Sequence, residues 1–288
     1  GHYKTQYYLN LATDPPGVVP PIGANWYNAS THATITTAQY IDIAPGSRYR
    51  FNGWTTADMT EIANPSAPTT TVHIDKAKTV TANYVIQYLV TFGQTGLDSS
   101  ASGTVVTVNG APKTFGELPY AFWVDKNSIV TYSYNDTVLS TVAGKRFKLV
   151  SVTGPSSPIT VTDSVTVTGN YKTQYYLTVA IIPPDVPVTI PGEGWYDNST
   201  IVPLTAPYVA KYQFKYWDVD GTTVPGNPIN VHMDRPHTAT AHYQKIFVPV
   251  GGYSVSLAEP PETAPIVGYT IILAMFGAAI TLIKRKRK

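Results

Sequence analysis

Three Asn-x-Ser/Thr triplets stand in the sequence, at Asn28-Ala29-Ser30, Asn135-Asp136-Thr137 and Asn198-Ser199-Thr200. This pattern is the acceptor for N-linked sugar on a secreted chain, and it places each asparagine in a surface loop. Asn28, Asn135 and Asn198 are therefore glycosylation candidates, against the competing reading of chance in a Thr-rich chain. Two of the triplets follow Trp-Tyr pairs, Trp26-Tyr27 and Trp195-Tyr196, beside Gly-rich bends. An indole at such a bend is expected to be exposed, with a flat face for stacking on a sugar ring. Trp54 and Trp217 end alternating Tyr-Phe-Trp strands instead, and core packing is the stronger reading for them.

His73 stands two residues before Asp75, and His232 two before Asp234. A histidine and a carboxylate on one strand face could begin a metal site, but no third ligand accompanies them, so no metal is expected. Asp218-Val219-Asp220-Gly221 opens like a calcium loop. It lacks the distant bidentate glutamate, and Asp-Gly is a hairpin turn in its own right. The chain has no cysteine, which excludes disulfides, catalytic thiols and thiolate metal sites. No Ser, His and Asp set points to nucleophilic catalysis. The expectation is a protein with no catalytic residue and no cofactor, and not an enzyme.

The elements that position these residues come from an internal repeat. Tyr3-Lys4-Thr5-Gln6-Tyr7-Tyr8-Leu9 returns unchanged as Tyr171-Lys172-Thr173-Gln174-Tyr175-Tyr176-Leu177, and a weaker copy lies at Ile86-Gln87-Tyr88-Leu89-Val90. The division expected is a stub at 1–2, module one at 3–87, a divergent module two at 88–174 and module three at 175–247. In modules one and three, Tyr49 to Trp54 matches Tyr212 to Trp217, and Val72-His73-Ile74-Asp75 matches Val231-His232-Met233-Asp234. Val80, Ala82 and Tyr84 alternate with Thr79, Thr81 and Asn83, which is the period of a half-buried strand. No module shows a sustained helical period. Each closing strand leads into the next module's first strand without a linker, so the boundaries are expected to bend little. Trp123 has no clear counterpart in the other modules. Gly169, before the closing tyrosine of module two, suggests a close backbone approach. Gly1-His2-Tyr3-Lys4-Thr5-Gln6 reads like Gly169 to Gln174, and a strand ending another module of the second kind is expected before it.

Val248 to Pro265 carries four prolines and reads as an extended linker. Ile266 to Ile283 is 18 residues without a charge, or about 27 Å of helix. That length nearly matches a hydrocarbon core of about 30 Å. The basic run at 284–288 is a positive-inside signal, so one C-terminal transmembrane helix at 266–283 is expected, with the modules outside and a cytoplasmic tail. A buried core helix and a cleaved sorting tail are the alternatives; no Leu-Pro-x-Thr-Gly precedes the helix. Without that tail the balance is 15 basic against 18 acidic residues, which offers no footprint for nucleic acid.

Module three then carries a resemblance, in Tyr176 to Val179, Gly192 to Tyr196, Val202 to Ala206, Tyr212 to Trp217, Asn227 to Asp234 and Thr238 to Tyr243. It is similar to the bacterial repeat domain related to internalin B-repeats, found in tandem on surface proteins. Module one fits as well, apart from an insertion at Thr55 to Ser66, and module two fits at its ends. The resemblance implies small β-rich modules of β-grasp-like or sandwich-like type, used as spacers or adhesive stalks, with no catalytic residues to carry over. The fold expected is thus all-β, three tandem modules in a rod plus one transmembrane helix. The function expected is a membrane-anchored extracellular stalk of a surface-layer component or adhesin. Its expected partners are membrane lipid, through the C-terminal helix, and neighbouring surface-layer or surface proteins or cell-wall glycans. The alternatives are the anchor and spacer of an extracellular enzyme or solute receptor, and modules that bind glycans themselves.

Overall fold

Alternation of Thr with Val, Ala or Tyr builds the strands on which everything else hangs. In the computed structural model, which describes residues 1–246, two strands of 18 residues run through the module boundaries, Lys78–Thr95 and Val165–Ile182. Each is about 60 Å long at the usual rise of a strand. The first half of Lys78–Thr95 closes module one. It pairs in parallel with Gln6–Asp14 and antiparallel with Ser47–Thr55. Its second half opens module two, pairing with Tyr120–Asp125 and, in parallel, with Val165 onward. Val165–Ile182 repeats the arrangement. It pairs first with Lys145–Thr153, then with Gly194–Asp197 and in parallel with His237–Lys245. The absence of a linker in the sequence is thus met by an unbroken ladder.

Smaller sheets cover the inner faces. Thr31–Thr36 pairs with Thr69–Ile74 in module one, and Ile201–Leu204 with Ile229–His232 in module three. Module two has a three-stranded sheet, Ala111–Thr114, Thr104–Val108 and Tyr132–Tyr134, and a two-stranded one. Alternate residues of the long strands meet these small sheets in three separate cores. Leu9, Ile35, Phe51, Trp54 and Val80 fill the first, Phe92, Val106, Phe147 and Val167 the second, and Leu177, Leu204, Trp217 and Met233 the third. A tyrosine seals each closing strand. Tyr84, Tyr171 and Tyr243 are buried, and their hydroxyls donate to the carbonyls of Ala38, Asn135 and Pro207. Burial raises the Tyr171 and Tyr243 hydroxyls above the usual phenol range, so they stay neutral donors.

Two expectations are corrected here. The modules are all-β but not three self-contained grasp-like or sandwich-like units in a rod. Their strands join one 14-stranded sheet, flanked by one sheet of three strands and three of two, because the boundary strands belong to two modules at once. Residues Gly1–Gln244 form one compact unit. Among the described residues the helical structure is two single turns, Met59–Glu61 and Phe115–Glu117, and no helix is long and apolar enough to cross a membrane. The expected transmembrane helix at 266–283, its linker and its basic tail lie outside the described residues.

The insertion in module one has a structural use. Trp54 donates from Nε1 to the carbonyl of Ala67, 2.9 Å away at the end of that loop, and its backbone N–H reaches Pro65. Trp217, equally buried in module three, is followed by a tight Asp220-Gly221 turn, and its Nε1 finds no partner among the described residues. At Gly169 a Cβ would lie 2.5 Å from the ring of Tyr134, so the close approach read from the sequence is real. Trp54→Phe forfeits a buried hydrogen bond and strands a carbonyl, whereas Trp217→Phe removes a donor that had no partner. In urea melts Trp54→Phe should therefore destabilise its module more than Trp217→Phe does. Trp217→Ala should cost about 3–5 kcal/mol, and equal losses for the two phenylalanine variants would contradict this account.

Candidate functional site

The residues that do most outside the cores gather where one module meets the next. Gln87 lies at the middle of Lys78–Thr95 on the face opposite Val80, Ala82 and Tyr84. It is flanked by Arg48 on one neighbouring strand and Asp125 on the other. Arg48 Nε donates to its Oε1 at 2.9 Å, and its Nε2 donates to Asp125 Oδ1 at 2.8 Å. Gln174 repeats this on Val165–Ile182: Arg146 Nε donates to Oε1 and Nε2 donates to Asp197 Oδ1, both at 2.8 Å. A carboxamide suits the position because it accepts on one side and donates on the other; a glutamate could not donate to the aspartate. Arginine and glutamine belong to the module that is closing, or to the shared strand, while the aspartate belongs to the module that is opening.

A tryptophan of the opening module completes each junction. The Arg48 guanidinium lies 4.1 Å from the ring centre of Trp123 and 3.9 Å from that of Tyr40. Arg146 lies 4.3 Å from Trp195. These are cation–π distances. At the first junction Arg50 adds an ion pair with Asp125 at 2.8 Å. Arg50 holds the Asp125 carboxyl below the usual carboxylate range, against an opposing effect of burial. A glycine turn clips the other side. The carbonyls of Gly46 and Gly144 accept from the N–H of Leu89 and Tyr176, each at 2.9 Å. Both glycines have left-handed φ, +80° and +71°, and a Cβ on either would come within 2.8 Å of Ser164 or Pro236 of the next module. Each junction is therefore Gly-x-Arg from one module, Gln on the shared strand, and Trp-x-Asp from the next.

Trp123 does have counterparts. It pairs with Leu89, two residues after Gln87, as Trp195 pairs with Tyr176 and Trp26 with Tyr8. The sequence carried the signal in Trp123-Val124-Asp125 and Trp195-Tyr196-Asp197, and in Gly46-Ser47-Arg48 and Gly144-Lys145-Arg146. Strand-by-strand matching missed it because module two shares no other pattern there. Trp26 is 60% exposed. Trp195 is half-buried, with Arg146 on it and Tyr176 edge-on at 5.2 Å.

The three triplets sit in different settings. Asn135 and Asn198 are exposed, and Asn135 Nδ2 donates to the Thr104 carbonyl. Asn28 is half-buried and accepts from Gln6. It occupies the position of Asp197, not of Asn198, so the triplets of modules one and three are one residue out of register although Ser30 and Ser199 share a left-handed turn conformation. His73 packs against His32 across the sheet, and Asp75 is held by Lys78 and Lys76. Asp218 caps the Asp220-Gly221 turn by accepting from Gly221 N. Among the described residues no group of three or more His, Cys, Asp or Glu is placed to hold a metal ion. One group escaped the sequence reading: buried His237 bridges Asp220 (2.6 Å) and Asp234 (3.0 Å), tying a hairpin to the closing strand of module three.

No curated protein matches the chain. Two stretches, 22–87 and 181–247, match the family described as the divergent InlB B-repeat domain. They fall in modules one and three and pass over the stretch read as divergent. Each of the two stretches is similar to the divergent InlB B-repeat domain, and together they span a little under half of the chain.

Proposed function

We infer that the chain is a non-catalytic spacer of an extracellular surface protein, one that holds another part of that protein at a fixed distance and orientation from the cell. One observation carries this reading: both module boundaries are crossed by an unbroken 18-residue strand. A strand shared by two cores cannot swivel without breaking its ladder. The Arg–Gln–Asp clamps and glycine turns add side-chain restraint at the same points. Neighbouring surface proteins are the natural partners of such a spacer. Glycan stacking has less support, because Arg146 already occupies Trp195.

The chain has no native cysteine, so Thr56→Cys with Thr223→Cys places two spin labels unambiguously in modules one and three. Pulsed electron-spin distance measurements should give one narrow distribution. A broad distribution would refute the fixed spacer. Adding Arg48→Ala and Arg146→Ala should broaden it modestly while the strands keep the modules joined.

The first junction also predicts a pH dependence. Asp125 has a lowered folded pKa, so its contribution is present above the usual carboxylate range and is lost as pH falls through the folded value. Its side chain is 40% exposed, which limits the effect to about 1 kcal/mol or less. Urea melts at pH 5 and pH 3 should show a smaller loss for Asp125→Asn than for wild type. The same loss in both proteins would leave the ion pair without a role in stability.

A further inference from the structure

Module one has a third copy of the junction, but only half of it is filled. Gln6 stands in the register of Gln87 and Gln174, and its Nε2 donates to Asn28 at 3.1 Å as theirs do to Asp125 and Asp197. Trp26 stands where Trp123 and Trp195 stand, 5.5 Å from Tyr8 as Trp195 is 5.2 Å from Tyr176. This is the receiving side of a junction. Among the described residues no giving side faces it. Trp26 has no guanidinium over it among the described residues. On the edge of Gln6–Asp14 away from Asn25–Asn28, pairing begins only at Leu9, opposite Lys78.

The space for the missing turn is present too. Gly46 and Gly144 rest against Ser164 and Pro236, each the residue just before the strand that pairs in parallel with the opening strand. The matching residue in module one is Ala77. Beside it and Tyr8 lies an open depression of about 500 Å³, which Lys78 and Thr79 also line.

We propose that this edge, made by Tyr3 to Tyr8, Trp26 and Ala77, is a docking surface for a β-hairpin of module-two type that carries a Gly-x-Arg turn. The strand sequence names that occupant. Tyr3-Lys4-Thr5-Gln6-Tyr7 is identical to Tyr171-Lys172-Thr173-Gln174-Tyr175, whose partner in module two is Lys145–Leu149 with Arg146 opposite Gln174. In that setting Tyr171 is 5% exposed; the same tyrosine at position 3 is 99% exposed. One strand sequence is thus seen both with its hairpin and without. A second copy docking by its third module is a poorer fit. Counting back from Phe214-x-x-Trp217, the counterparts of Gly46-Ser47-Arg48 are Val209-Ala210-Lys211, and Ile246 replaces Gln87.

The test uses the whole chain and a fluorescent synthetic hairpin of residues 137–153, which contains Gly144 and Arg146. The hairpin should bind in fluorescence anisotropy titrations. Binding should weaken roughly tenfold on Trp26→Ala in the chain, and by a similar factor on Arg146→Ala in the peptide, the loss of one cation–π contact at a half-desolvated site. Trp195→Ala should leave it unchanged, since that junction is already filled. Trp26 is exposed, so its variant should melt like wild type. Absence of binding at millimolar peptide, or binding indifferent to Trp26→Ala, overturns the proposal. Concentration-dependent self-association of the chain that Trp26→Ala abolishes would also overturn it, by making a second copy the occupant.

Discussion

The structure depends on the regular alternation of faces along its two long strands. Along Lys78–Thr95 the core residues are Val80, Ala82 and Tyr84 in module one and Val90 and Phe92 in module two, all even-numbered. Along Val165–Ile182 they are Val167, Tyr171 and Leu177, all odd-numbered. Because one ladder spans each boundary, the next core inherits the face of the last. The glutamines have the opposite parity, 87 against even and 174 against odd, so the clamps form on the back of the strand, clear of both cores. Inserting one residue between Tyr84 and Val90 would turn the second core outward. The spacing of the repeat is therefore a physical requirement of sharing a strand.

The division of labour between strand and clamp follows from their energies. Backbone pairing and apolar burial fix which modules are neighbours. In the Arg–Gln–Asp relay Gln87 is buried, but the charged arginines and aspartates are partly exposed, and contacts of such charges contribute about 1 kcal/mol or less each. The relay refines orientation without holding the modules together. The glycines act differently again. A side chain at Gly46 or Gly144 would collide with the next module, so these positions keep the turn close to its neighbour.

Much of this was legible in the sequence. The Thr/Val/Tyr alternation marked the closing strands, the repeated Tyr-Lys-Thr-Gln-Tyr-Tyr-Leu marked the boundaries, and Gly169 marked a close approach that the ring of Tyr134 makes. Trp54 and Trp217 read correctly as core because they end alternating strands. The junction motifs stand in the sequence, but their pairing was not legible, since it joins residues 39 and 75 positions apart, as in Arg48 to Gln87 and Arg50 to Asp125. Periodicity shows which face a residue takes but not which residue stands across from it. The merging of module sheets into one was hidden for a related reason: a sequence shows where a strand runs on, not that both of its halves recruit partners from the same sheet.

The unequal halves of the junction give the array a direction. Each boundary has a socket, made of tryptophan and aspartate, and a stud, made of glycine and arginine, and the two cannot exchange roles. Module three keeps the socket toward module two, while Val209 and Lys211 stand where the glycine and arginine of a stud would be. A string of such units is vectorial, like a polymer with distinct ends. In module three those substitutions stand beside a complete core of its own.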